Sequence, residues 1–151
     1  MNKKHVAIEI MPRFLWVIEG FTLFILHSIV GEKPVTTNNN IYLLLGTLIT
    51  IFGVFYLVTT FYKLAKPMFT KELVTDGPYG YVRHPMYVSM YVLLVGIGIL
   101  FFSQLWFAIL LIFIPLWYFD CLLEESQMID LHGDKYRDYK KRVGMFFPLK
   151  L

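Results

Sequence analysis

The chain has 151 residues, of which 57% are apolar, 18% aromatic and only 17% charged. A soluble domain of this length carries about 45–50% apolar and about 25% charged residues, so the excess points to one integral membrane domain over 1–151 and excludes a disordered chain. The single Cys121 excludes an intrachain disulfide framework, and a formal net charge of +3 acquires meaning only when the charges are placed along the chain.

A membrane helix needs about 20 apolar residues, with a usual range of about 17–25. Residues 14–30 form a short first span carrying Glu19 and His27. Lys3 and Lys4 precede it, but no small-x-small cleavage pattern follows before Gly31, so it reads as a span and not a removed signal peptide. The second, 41–62, is 22 residues without a charge. Residues 86–123 form one apolar block whose only charge is Asp120. At about 1.5 Å per residue it would reach roughly 57 Å, nearly two bilayer cores. It is therefore expected to fold back at Ser103 and Gln104 into spans 86–102 and 105–123. The expectation is an all-α membrane protein with four transmembrane helices, a loop over 63–85 and a cytoplasmic amphipathic helical tail over 124–148.

Lysine and arginine place these elements relative to the bilayer. Lys3, Lys4, Arg13, Lys63, Lys66, Lys71, Arg83 and the tail cations from Lys135 to Lys150 would share one side, leaving only Lys33 on the other, a split of 13 to 1. The positive-inside rule makes that side cytoplasmic, the inner or plasma membrane being implied for a prokaryotic protein. Such a bias argues against a dual-topology four-helix exporter.

The polar residues gather in two places. The loop carries Asp76, the turn formers Gly77, Pro78 and Gly80, then Arg83 and His84 just before Pro85. Pro85 suits the first turn of span three, where its missing N–H costs nothing. Arg83 and His84 then sit at a helix N-terminus, which favours an anion. Each piece also has a plainer reading. Arg83 suits a positive flank, Tyr79, Tyr81 and Tyr87 an aromatic belt at the headgroups, and His84 a solvated interfacial side chain.

At the end of span four, Asp120 and Glu124 are spaced to share a helix face, and Glu125 points about 100° away. An acid at that depth is costly and is usually paired or functional, whereas Glu124 and Glu125 also suit solvated positions outside the bilayer. Beyond them, Gly133 is expected to end the helix and Asp134 to cap the next one, with Tyr136, Tyr139 and Val143 on one face. That helix either lies on an anionic membrane surface, which composition favours, or folds over the loop. Cys121 reads as a small core residue, and Gly96 and Gly98 as sites of close helix packing. No HExxH, paired CxxC or Walker spacing is present, so no metal site and no nucleic-acid partner are expected.

The run Gly77-Pro78-Tyr79, Arg83-His84-Pro85 and Tyr87, followed by Glu124-Glu125, Gly133, Tyr136, Tyr139, Val143 and Pro148, resembles the signature of the isoprenylcysteine carboxyl methyltransferase and phospholipid methyltransferase superfamily. The likeness covers about residues 71–148. It implies an integral membrane enzyme that moves a methyl group from S-adenosylmethionine to a lipidic or lipidated acceptor entering from the bilayer. Carried over by position, Leu73, Val74, Tyr79, His84, Pro85, Met86 and Tyr87 would line the cofactor, with Glu124 facing it. Arg83, Asp120 and Glu125 are the candidate catalytic residues. The chemistry agrees, since a helix N-terminus suits the cofactor's carboxylate, a glutamate its ammonium and tyrosine faces its sulfonium.

Three positions depart from the pattern. Asp120 stands where enzymes acting on isoprenylcysteine carry an arginine, and it suits a cationic amine or a base instead of a carboxylate acceptor. Ser89 replaces a glycine, and Met145 replaces a tail arginine. The alternative readings are an NADPH-dependent membrane sterol or isoprenoid reductase of the same fold and a non-catalytic membrane subunit.

Overall fold

The computed structural model describes residues 40–70, 72–101 and 104–148, together with isolated helical positions between 18 and 29. Most of the first span, with Glu19 and His27, the expected reversal at Ser103, and the cations Lys3, Lys4, Arg13, Lys33, Lys71 and Lys150 lie outside the described residues. The described chain is helical: α1 (Asn40–Thr70), α2 (Pro78–Tyr81), α3 (Pro85–Phe101), α4 (Gln104–His132) and α5 (Asp134–Arg142). Its one β-type pairing is an isolated parallel bridge between Val82 and Gly144.

Two helices continue past their membrane spans, one of them beyond its expected end. Apolar composition ends at about Tyr62, but good helix formers follow, and α1 continues to Thr70 with Pro67 inside it. Helix α4 runs past Leu123 through the two glutamates to His132, up to the expected stop at Gly133. It stops where Gly133 adopts φ 58° and returns its N–H to the Ile129 carbonyl at 2.8 Å. Gly133 also occupies the N-cap position of α5, so Asp134 is a first-turn residue and not the cap. Its carboxylate meets Arg137 across an exposed turn at 2.6 Å.

Asn40–Ala65 and Gln104–His132 are long and apolar enough to cross a membrane, while Pro85–Phe101 is apolar but shorter. Leu43, Ile51 and Phe55 on α1 and Leu111, Ile112 and Phe119 on α4 are all exposed. A surface this apolar is foreign to a soluble monomer and natural to helices solvated by lipid. This is a membrane protein.

The helices pack as antiparallel neighbours. On α3, a Cβ at Gly96 would lie 2.6 Å from the Thr50 backbone nitrogen, and one at Gly53 of α1 would meet Leu93 at the same distance. Glycine therefore lets α1 and α3 touch backbone to backbone, as the sequence suggests. Between α3 and α4, Trp106 Nε1 donates to the Leu94 carbonyl at 2.9 Å and the Tyr91 hydroxyl to the Leu110 carbonyl at 3.2 Å. Below these contacts lies a buried core of Tyr87, Ile109, Phe113, Trp117 and Cys121. Trp117 sits edge-to-face with both Tyr87 and Tyr91, at 5.5 and 5.7 Å.

Candidate active site

The site forms where the loop, the start of α3, the end of α4 and the tail converge. Asp76 pairs with Lys63 near the end of α1, and that hydrogen bond holds its carboxyl below the usual value. Gly77 then takes φ 58°, a backbone state that favours glycine, and turns the chain into the single turn α2. Past it, the strand-like residues 82–84 lie along the tail. Arg83 N–H donates to the Gly144 carbonyl at 2.9 Å and His84 N–H to the Met145 carbonyl at 3.2 Å.

Side chains reinforce this junction. The Tyr139 hydroxyl donates to the Tyr79 carbonyl at 2.6 Å, and Arg83 Nη1 donates to the carbonyls of Val143 and, at 3.1 Å, Lys140. Tyr136 and Tyr139 are buried. Burial drives the phenols of Tyr79, Tyr136 and Tyr139 to high pKa, so they stay protonated donors. Of the two placements that composition allows for the tail helix, the structure adopts the one folded over the loop.

Glu125 anchors the junction from below. It is 1% exposed; Oε1 accepts from Arg83 Nε at 2.7 Å, and Oε2 meets Lys140 Nζ at 2.6 Å. The solvated placement that the sequence allows for Glu125 is therefore not the one adopted. His84 Nε2 lies 3.4 Å from the same Oε1, while Nδ1 lies 3.3 Å from Glu124 Oε2. Burial by itself would discharge this imidazole. Its hydrogen bonds to Cys121, Glu124 and Glu125 outweigh burial and raise its pKa well above the ordinary value.

Tyr87, one turn into α3, links the remaining acids. Its hydroxyl is 2.8 Å from Asp120 Oδ2 and 2.8 Å from Glu124 Oε1. A hydroxyl has one proton to give, so it cannot donate fully to both carboxylates. Asp120 is buried, whereas the Glu124 side chain keeps 33% of its surface open.

The structure thus brings together Tyr87, His84, Asp120, Glu124, Glu125 and Arg83. Tyr79 joins through its backbone, and Pro85 is buried at the helix start with Met86 beside it. Leu73 is elsewhere: with Thr75, His132, Lys135 and Arg142 it lines an open groove of about 740 Å³ that shares no lining residue with the His84 cluster. Val74 is half-buried in the irregular stretch 72–75. At the departures, Met145 packs against the Tyr87 core, and Ser89 is buried with its hydroxyl on the Met86 carbonyl at 2.8 Å. Two participants are missed by sequence reasoning. Cys121, one turn before Glu124 on α4, faces His84, a position that the helical spacing could have flagged. Lys140, one cation among several in the tail, carried no distinguishing signal.

The family model for phospholipid methyltransferases matches residues 39–135, from the start of α1 to the first turn of α5. The chain belongs to this family. Among curated proteins, a protein-S-isoprenylcysteine O-methyltransferase of Schizosaccharomyces pombe is 39% identical over 83 residues, covering 51% of this chain and 33% of its own. A nickel-cobalt-cadmium resistance protein of Alcaligenes xylosoxydans xylosoxydans is 38% identical over 77 residues, covering 51% and 36%. A methanethiol S-methyltransferase of Bradyrhizobium diazoefficiens is 39% identical over 71 residues, covering 46% and 24%. The chain thus spans about a third or less of the length of these relatives. No solved structure matches it. Within the phospholipid methyltransferase family it is isoprenylcysteine methyltransferase-like.

Proposed function

We propose that this chain is an S-adenosylmethionine-dependent methyltransferase acting on a lipidic or membrane-embedded acceptor. The observation that carries the reading is the constellation of buried His84, Tyr87 and Asp120 with the part-exposed Glu124 in a chain of this family. The residues present fit a zwitterionic sulfonium cofactor. Glu124 is a part-exposed carboxylate suited to an ammonium, the N-terminal end of α3 favours a carboxylate, and the Tyr79 and Tyr87 rings suit a sulfonium. Bound there, the cofactor would supply an electrophilic methyl group.

The chain's own residues position and exclude water. Arg83 and Glu125 neutralise each other and lock tail to loop, so they act as positioning residues. The folded tail helix shields the buried carboxyls from water, which strengthens every electrostatic contact inside. Asp120, linked to Glu124 through Tyr87, offers a place for the proton that a neutral acceptor sheds on methylation. The family match does not favour the reductase alternative. The four-span arrangement with cytoplasmic termini, in the inner or plasma membrane of a prokaryote, belongs to this proposal and rests on the 13 to 1 charge split.

Calorimetry of S-adenosylhomocysteine against the detergent-solubilised chain tests the reading. Micromolar binding, about −8 kcal/mol, that is lost in Glu124→Ala supports the cofactor and its placement. A folded wild type that binds S-adenosylhomocysteine no better than NADPH refutes it.

A further inference from the structure

Three side chains of types that bind metals converge on one spot: the imidazole of His84, the thiol of Cys121 and the carboxylate of Glu124. Their donor atoms all lie within 4.8 Å of one another. Cys121 and Glu124 stand one turn apart on α4, and His84 reaches them from the loop before α3. We propose that these residues bind a borderline-soft divalent cation of the zinc class. This goes beyond methyl transfer and does not depend on it.

Four features support the assignment. First, the donor set of one thiolate, one imidazole and one carboxylate matches zinc and its neighbours and is poorly suited to magnesium or calcium. Second, a supporting carboxylate is already in place. Glu125 Oε1 sits 3.4 Å from His84 Nε2 and is itself held by Arg83 at 2.7 Å, while Nδ1 is turned toward Glu124 at 3.3 Å. A carboxylate behind a histidine is the arrangement that orients imidazole ligands in zinc sites.

Third, the geometry can close. Donor atoms around tetrahedral zinc stand about 3.6 Å apart, a separation that His84 Nδ1 and Glu124 Oε2 already meet at 3.3 Å, so the triad, whose donor atoms all lie within 4.8 Å of one another, closes with a small shift. Glu124 is 33% exposed and can make that movement, whereas Cys121 is fully buried. Fourth, the exposed edge of Glu124 provides an entry path for the ion. Coordination replaces the S–H bond of Cys121 by an S–metal bond and releases the proton to solvent. No electron is transferred. Because His84 and Glu124 also belong to the proposed methyl-donor site, cation and donor would exclude one another.

Cobalt(II) reports the site directly. The full chain, stripped of metal in detergent and without any methyl donor, is titrated with cobalt and followed by absorption. One equivalent should produce a thiolate-to-cobalt charge-transfer band with tetrahedral visible bands, and zinc should abolish both. Cys121→Ser, close in shape, should lose the charge-transfer band while keeping the wild-type circular dichroism. A folded wild type that shows no such band in excess cobalt overturns the proposal, and so does a band that survives in Cys121→Ser. S-adenosylhomocysteine binding is measured separately, so either reading can fail alone. If both hold, zinc should weaken that binding in wild type and not in Cys121→Ser.

Discussion

Replacing Glu125 by alanine should release the C-terminal helix from the loop. Glu125 is 1% exposed and meets Arg83 at 2.7 Å and Lys140 at 2.6 Å, with His84 at 3.4 Å. Removing one partner of a buried ion pair costs about 3–5 kcal/mol, because the other charge is left uncompensated. The Arg83 side chain is 10% exposed and therefore suffers most of that loss. Lys140, at 41%, is screened and adds little. In thermal unfolding monitored by circular dichroism in detergent, this corresponds to a fall of roughly 6–20 °C for a chain of this size. Limited proteolysis should meanwhile cut the variant first between Gly133 and Gly144, the segment that Arg83 and Glu125 hold down. Glu125→Gln keeps an acceptor for Arg83 and should fall between the two. A loss below about 1 kcal/mol in Glu125→Ala, the range of an exposed surface pair, would refute the claim that this ion pair holds the tail.

Tyr139→Phe deletes the hydroxyl that donates to the Tyr79 carbonyl at 2.6 Å. It should cost about 1 kcal/mol in the same melt, the loss of a part-buried hydrogen bond, and an unchanged melting temperature would contradict that contact. Gly96→Ala places a methyl 2.6 Å from the Thr50 backbone nitrogen, so α1 and α3 must move apart at a cost of about 1–3 kcal/mol. A variant as stable as wild type would show that the two helices are not in backbone contact. Asp120→Asn should slow methylation of an amine-headgroup lipid in a labelled-methyl assay, with S-adenosylhomocysteine affinity retained. Unchanged turnover would remove Asp120 from the acceptor's surroundings. A carboxylate acceptor should react more slowly than the amine in wild type, since the nearby cations Arg83 and Lys140 are committed to Glu125.

Local rules were enough to place many of the elements. Apolar runs marked α1, α3 and α4 because the helix core of a membrane protein is set by composition over a window of about 20 residues. Pro85 opened α3, and Gly133 closed α4, because each imposes its own backbone state. Asp120 and Glu124 were readable as one face from their spacing alone, and they do share the Tyr87 hydroxyl. Tail placement was different. Composition favours α5 lying on a membrane surface but leaves the loop open to it, since an amphipathic helix needs only some apolar surface to cover. Contacts 60 residues apart, such as Tyr139 to Tyr79 and Arg83 to Val143, decide the matter.

The end of α1 beyond the bilayer was likewise open, since hydropathy stops reporting where lysines begin although the backbone continues its hydrogen bonding to Thr70. Which partner each charge takes was also beyond local reading. Glu125, which the sequence left open between a solvated acid and a functional one, is among the most buried side chains, because Arg83, Lys140 and His84 reach it from two distant segments. Cys121 looked like filler, and only the crossing of α3 and α4 brings it to His84, which is 37 residues earlier in the chain. Sequence spacing acts within a helical turn; charge compensation in a dry interior acts between whatever elements the fold brings together, and only tertiary structure names them.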